Sequence, residues 1–284
     1  MAVQDNIAPA VAPWPKMKKR RVFGEVPGLK SLAFCFLAFL YLPIAVLVAY
    51  SFNEGSIVMV WTGFSTDWYG KALADADIRK AAMNSLIVAV SATAVATTCA
   101  TLAALALARG GAFRGKGATL GLITLPLMVP EIVTAVATLV FFSSIGLKLG
   151  LGNVIIARTT FCIPFAFMPI RARLEGMDTT LEQASRDLYA SDWETFRLVT
   201  LPLLMPGVLA GAMLSFVISM DDFIITLMVA GAGDTTLPVY IYSMIRQGIT
   251  PEINAVSSIL LLFSIAMVTA YWFMTRQKPG QNTH

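Results

Sequence analysis

Three carboxylates stand inside runs of otherwise apolar sequence. Glu131 follows "LPLMVP", and Asp221 and Asp222 sit in "SMDDFIIT". A charge carried into a bilayer costs about 2.5–3.5 kcal/mol on insertion scales, so each needs a role. Glu131 falls in a predicted span over residues 118–145, roughly 20 Å from its start at about 1.5 Å per residue. Pro126 and Pro130 free backbone carbonyls beside it, and Thr134 and Thr138 lie within about 60° of it on a helix. That grouping suits a cavity for a cation. A protonated glutamate tying two helices together fits the same residues. In the span predicted over 203–230, Gly207, Gly211, Ser215 and Ser219 form a small-residue seam for close helix packing. Asp222 falls at the centre of that seam and Asp221 about 100° to one side. An interhelical hydrogen bond is the competing role for Asp222. Arg158, near the outer end of a predicted span, either snorkels or pairs with one of these acids.

Several chemistries are excluded. The only histidine is His284, the last residue, so histidine-based metal or acid–base sites are ruled out. Cys35, Cys99 and Cys162 lie scattered in apolar runs, without the spacing of a zinc site or disulfide framework. No nucleophile, base and metal constellation supports an enzyme. The basic turn "GGAFRGKG" approaches a P-loop, but Gly117 stands where a metal-holding Ser or Thr is required. No cofactor is expected on this chain, and nucleic acid is not an expected partner.

These groups must be positioned by membrane helices. The 284 residues are 57% hydrophobic and 13% charged, with mean hydropathy +0.72, which defines an all-α polytopic membrane protein with lipid as its surroundings. Windows of about twenty residues predict spans at 31–51, 84–108, 118–145, 153–171, 203–230 and 254–275. Residues 1–30 and 276–284 read as tails flanking a 31–275 membrane domain. The basic "KMKKRR" before the first span has the charge order of a signal peptide, but "YSFNEG" offers no small-residue cleavage site, so the span is expected to be retained. With both termini in the cytosol, only Lys71, Arg79, Lys80, Lys148, Arg158 and Arg246 fall outside or near the outer ends. The positive-inside rule favours that orientation.

Beyond the first span, Trp61, Phe64, Trp68 and Tyr69 suit an interfacial aromatic belt. Rings of an outer vestibule, stacking on a cationic ligand, are the alternative. In the second outer stretch Pro251 suits the first position of the last span and Glu252 complements its dipole.

The cytosolic stretch 172–202 is different in kind. "TLEQ" predicts a capping box between Thr179 and Glu182, starting a helix with Leu181, Ala184 and Leu188 on one face. "SDWE" predicts a second box, Ser191 with Glu194, starting a helix that carries Trp193 and Phe196. Pro202 then opens the next span. Acids at Asp178, Glu182, Asp187, Asp192 and Glu194 face only Arg186 and Arg197, so an anionic inner leaflet repels the segment. A loop packed on its own spans is the competing reading. A docking surface for a cytosolic partner accounts better for displayed apolar residues.

The stretch "EQASRDLYASDWETFRLVTLPLLMPGVLAG" resembles the E-A-A loop of permease subunits in binding-protein-dependent ABC importers. Gln183-Ala184-Ser185 fall on E-A-A, Tyr189 on its glycine, Val199 on its isoleucine, and Leu201-Pro202 on its L-P. Gln183 replaces the usual Glu, with Glu182 one position early. A glycine at the corner implies φ > 0 or a close approach, from which Tyr189 departs. "SMDDFIIT" with "TLPVYIYSMIRQGITPEINA" is similar to the second permease subunit of spermidine/putrescine importers. The resemblance implies a MetI-like fold and half of a translocation pore in a bacterial inner membrane. It implies as partners a second permease subunit, two cytosolic ATPase subunits that bind the ATP, and an extracytoplasmic polyamine-binding protein. It also implies that Glu182, Gln183, Ala184, Leu188, Tyr189, Trp193, Phe196, Leu201 and Pro202 dock the ATPase. Glu131, Thr134, Asp221, Asp222, Trp61 and Trp68 are the candidates for the cargo path, since ammonium groups crossing a bilayer need carboxylate partners. A proton-coupled secondary transporter using Glu131 and Asp221 as a relay is a second reading, which leaves the capped cytosolic helices unexplained. An ABC permease for another small solute is a third.

Overall fold

The computed structural model describes residues 28–57, 60–111, 113–248 and 250–275. Residues 1–27 and 276–284, which hold nearly all of the expected tails, lie outside them. By internal contacts the chain divides into residues 1–46 and 47–284. The first unit holds most of α1 (Leu29–Tyr50), 22 residues with Pro43 inside, long and apolar enough to cross a membrane.

The second unit continues through α2 (Asp67–Ala74), α3 (Ala76–Arg109), α4 (Lys116–Thr124), α5 (Glu131–Ser144) and α6 (Leu151–Glu175). There follow α7 (Thr180–Asp187), α8 (Asp192–Thr195), α9 (Leu201–Met220), α10 (Ile224–Val229), α11 (Leu237–Gln247) and α12 (Pro251–Thr275). No strand occurs among the described residues, only an isolated bridge between Asn53 and Phe64. Five helices are long and apolar enough to span, or up to six if one bent pair counts as a span.

Packing of α3, α6 and α9 makes the main core. Ala92, Ala96, Ala100 and Ala104 form a fully buried stripe on α3, and small side chains there let neighbouring backbones come close. Ala100, Ala104 and Leu107 meet Ala166, Phe167, Ile170 and Leu174 of α6 and Leu204 of α9. The predicted seam of α9 is buried along Gly207, Gly211, Ser215 and Ser219. It lies on α6: Gly207 touches Arg173, Gly211 lies against the carbonyl of Ala166, and Ser215 Oγ donates to the Cys162 carbonyl at 3.3 Å. At the other end, Asn84 donates to the Thr235 carbonyl at 3.0 Å and Ser85 Oγ accepts from the Leu237 N–H at 2.8 Å. These bonds fix the loop before α11 on α3.

Two predicted spans are broken. The stretch 118–145 is not one helix: Lys116–Leu127 and Glu131–Ser144 are bent by 104° at the intervening residues. Pro130 is extended (φ −55°, ψ 135°) and its carbonyl accepts from Val133 N–H at 2.9 Å, so the second helix restarts there. The stretch 203–230 ends as a helix at Met220, and α10 begins anew at Ile224. The helical phase assigned to Asp221 and Asp222 therefore does not apply, because both lie in the break. Tyr189 is the one non-glycine residue with positive φ among the described residues.

Candidate functional site

Both breaks open onto the same place. Ala135 and Phe142 of α5, Ala157 and Phe161 of α6, and Ile225 and Val229 of α10 form one apolar cluster. It holds together the start of α5, the first half of α6 and the start of α10, and each supplies one charge. Arg158 of α6 is fully buried. Its Nη1 lies 3.0 Å from Asp222 Oδ1 and 3.6 Å from Glu131 Oε1, and its Nη2 donates to the Ile218 carbonyl. Of the two sequence alternatives for Arg158, pairing is the one observed.

The two carboxylates are not equivalent. Asp222 is buried and satisfied: Oδ2 accepts from Thr226 Oγ1 at 2.6 Å and Thr226 N–H at 3.0 Å, and Oδ1 from Ile225 N–H at 3.3 Å. It caps α10 as it holds Arg158. Glu131 is the first residue of α5, at the positive end of that helix dipole, and its side chain is 36% exposed. Its separation from Arg158 exceeds a hydrogen bond, so it is a partly exposed carboxylate set beside both the guanidinium and the Asp222 carboxylate. Asp221 is exposed where α9 ends, with only its N–H bonded back to the Val217 carbonyl at 3.1 Å.

Thr134, one turn on from Glu131 in α5, belongs to a neighbouring opening. With Thr138, whose Oγ1 donates to the Thr134 carbonyl at 2.7 Å, it lines an open cleft of about 360 Å³ beside Pro126 and Val129. Trp61 and Trp68 belong to a separate folded loop. Asn53, fully buried, organises it by donating to the Val60 carbonyl at 2.8 Å and accepting from Thr62 N–H at 2.9 Å. Trp68 Nε1 donates to the Asn53 carbonyl at 3.0 Å, and Lys71 Nζ already sits 3.9 Å from the centre of its ring. Trp61 packs edge-on to Tyr50 and is half exposed.

The expected box at Thr179 does not form. Thr179 is helical and makes no cap; Asp178 Oδ1 accepts from Thr180 N–H at 2.9 Å, and that bond holds the Asp178 carboxyl below the usual aspartate range. Glu182 is drawn off to Arg109 of α3, at 2.9 Å, and Thr200 Oγ1 donates to it at 3.1 Å. The second box forms as expected: Ser191 Oγ accepts from Glu194 N–H, and Glu194 Oε2 accepts from Ser191 N–H at 2.8 Å. Between the helices, Ala190 N–H donates to the Ser185 carbonyl at 3.1 Å and Tyr189 N–H to the Arg186 carbonyl at 2.9 Å. That pair of bonds is a Schellman motif, with Tyr189 at φ +61° in the position glycine prefers. Rather than stopping at Pro202, α8 runs through a π turn (Phe196–Thr200) into α9, where Pro202 falls in the first turn.

The result is a knob braced from behind and apolar in front. Ser185 and Thr195 hydroxyls meet at 2.8 Å and lock α7 to α8. Leu181, Leu188, Tyr189, Trp193 and Leu198 are exposed, with Phe196 5.6 Å from Trp193. Gln183 and Ala184 are exposed on α7, and Leu201 and Pro202 sit at the start of α9. The residues missed from sequence are Arg109 and Thr200, the partners of Glu182, and Thr226, the partner of Asp222. Nothing in local sequence marks them, because each contact joins separate elements or depends on a helix restarting.

Helices broken around buried charge and joined to a braced knob of short helices suit a membrane permease subunit. The chain belongs to the family described as "Binding-protein-dependent transport system inner membrane component", whose pattern matches residues 96–282. It is 40% identical to the "Spermidine/putrescine transport system permease protein PotC" of Escherichia coli (strain K12), over 87% of this chain and 93% of the relative. It is 37% identical to the "Putrescine transport system permease protein PotI" of the same strain, over 84% of this chain and 87% of the relative. Among solved structures, it matches a bacterial ABC transporter involved in the import of the acidic polysaccharide alginate. The TM-score is 0.66 at 16% identity, covering 88% of this chain and 95% of that one. The MetNI methionine ABC transporter in an inward-facing form matches with TM-score 0.58 at 19% identity, covering 68% and 92%. At such identities the likeness is one of fold. The protein is a multi-pass inner-membrane permease of an ABC importer, and membership of that family implies ATPase and binding-protein partners.

Proposed function

We propose that the chain forms one half of a pore importing polyamines, paired with a different permease subunit, with both termini in the cytosol. Two ATPase subunits supply all nucleotide binding, and this chain carries no cofactor. The observation that carries the cargo assignment is the 40% and 37% identity, over more than four fifths of the chain, to permeases named for spermidine and putrescine. The site chemistry fits: Glu131 is a partly exposed carboxylate at a helix restart, suited to an ammonium that has left water. Asp221, also exposed, extends that negative character along the cargo path, Thr134 offers polar lining, and the aromatic loop with Trp61 and Trp68 stands at the outer entrance. Closure of the ATPases pushes on Leu188, Tyr189, Trp193 and Phe196. Because α8 is continuous with α9, that push reaches the Asp222 end of α9 directly.

Uptake by the purified complex in proteoliposomes tests this reading. Spermidine should enter only with ATP inside and loaded binding protein outside. Uptake that persists without ATP while a proton gradient is maintained would overturn it in favour of a secondary transporter.

A further inference from the structure

Arg158 is a fully buried guanidinium placed between two carboxylates, and nothing in the transport scheme so far uses it. Asp222 holds it at 3.0 Å and is otherwise saturated by Thr226 and the start of α10. Glu131 waits at 3.6 Å, accessible and short of a full bond. Neither Nη1 nor Nε finds a well-aligned hydrogen bond among the described residues, so the guanidinium keeps donors to spare. Phe161 lies under it, the ring centre 5.3 Å from the guanidinium carbon, and seals that side.

We propose, on the reading that the cargo is a polyamine, that Arg158 is a specificity-determining residue: it competes with cargo ammonium for Glu131. Asp222 restrains that competition by holding the guanidinium back. The balance between the two contacts sets how much negative charge a passing cation meets. If Asp222 loses its charge, the spare donors of Arg158 close on Glu131 and withdraw it from cargo. If Arg158 loses its charge, the accessible Glu131 meets the cargo unopposed. A trivalent polyamine feels either change more than a divalent one, because each further ammonium adds its own Coulomb attraction.

The test is the ratio of spermidine to putrescine transport rates in proteoliposomes holding the full complex, each cargo supplied on saturating binding protein and normalised to assembled complex. Asp222→Asn should lower the ratio by about fivefold and Arg158→Gln should raise it by a similar factor. The double variant, Asp222→Asn with Arg158→Gln, should return towards the parent. A purely structural role changes both cargo rates together, so an unmoved ratio in the assembled single variants would overturn the proposal. Loss of assembly in both single variants would also overturn it, making the pair a fold tie alone. Failure of the parent complex to carry either polyamine would instead sink the cargo assignment.

Discussion

The carboxylate of Glu182 meets the guanidinium of Arg109 at 2.9 Å, joining the α7–α8 knob to the C-terminal end of α3. Both groups are partly shielded, and Thr200 completes the junction from the turn that leads into α9. A glutamate expected to cap its own helix instead ties three elements together.

Glu182→Ala therefore removes a charge-assisted contact and leaves Arg109 without its partner, weakening the brace by about 2 kcal/mol. Membrane insertion should be unchanged while ATPase copurification and spermidine uptake both fall. Parental uptake by Glu182→Ala would mean the junction bears no load.

The exposed face of the knob makes a separate prediction. Trp193→Ala and Leu188→Asp touch side chains that pack little within this chain, so the subunit should fold and insert normally. Loss of the ATPase subunits on purification is the expected result. Full retention with both variants would place the docking surface elsewhere.

Tyr189 occupies a left-handed position that disfavours a side chain by about 1–2 kcal/mol. Tyr189→Gly keeps the Schellman bonds and removes that strain, so the midpoint of thermal unfolding of the complex should rise. A lower midpoint would show that the nearly fully exposed ring holds a partner strongly enough to outweigh its own strain.

The α9 seam can be tested by size. A Cβ built at Gly211 falls 2.6 Å from the carbonyl oxygen of Ala166, closer than atoms pack, so Gly211→Ala must push α9 off α6. Overpacking of this kind destabilises by about 1–3 kcal/mol. The expected sign is reduced yield of folded subunit, checked by size-exclusion profile in detergent; an unchanged profile would contradict the packing described.

Much of this was legible in the residues. Apolar windows located the spanning stretches, the four-residue spacing of Gly207, Gly211, Ser215 and Ser219 located a buried seam, and "SDWE" located a real capping box. What the windows could not register was interruption. Pro126 and Pro130 announced a disturbance, yet hydropathy is indifferent to a 104° bend, so 118–145 read as one span. The end of α9 at Met220 had no proline or glycine to mark it. There the break is made by Asp222, which caps α10 and binds Arg158 across the fold. An ion pair between residues 64 positions apart leaves no local periodicity. For the same reason Arg158 was visible as a costly charge while its partner stayed undecided.

The central claim is that Glu131 meets the cargo's charge. Glu131→Gln preserves size and hydrogen-bonding capacity while removing that charge. In proteoliposomes with ATP and loaded binding protein, the variant complex should assemble, hydrolyse ATP, and lose most spermidine uptake. Parental uptake by assembled Glu131→Gln would contradict the account and leave Glu131 as a neutral tie between helices.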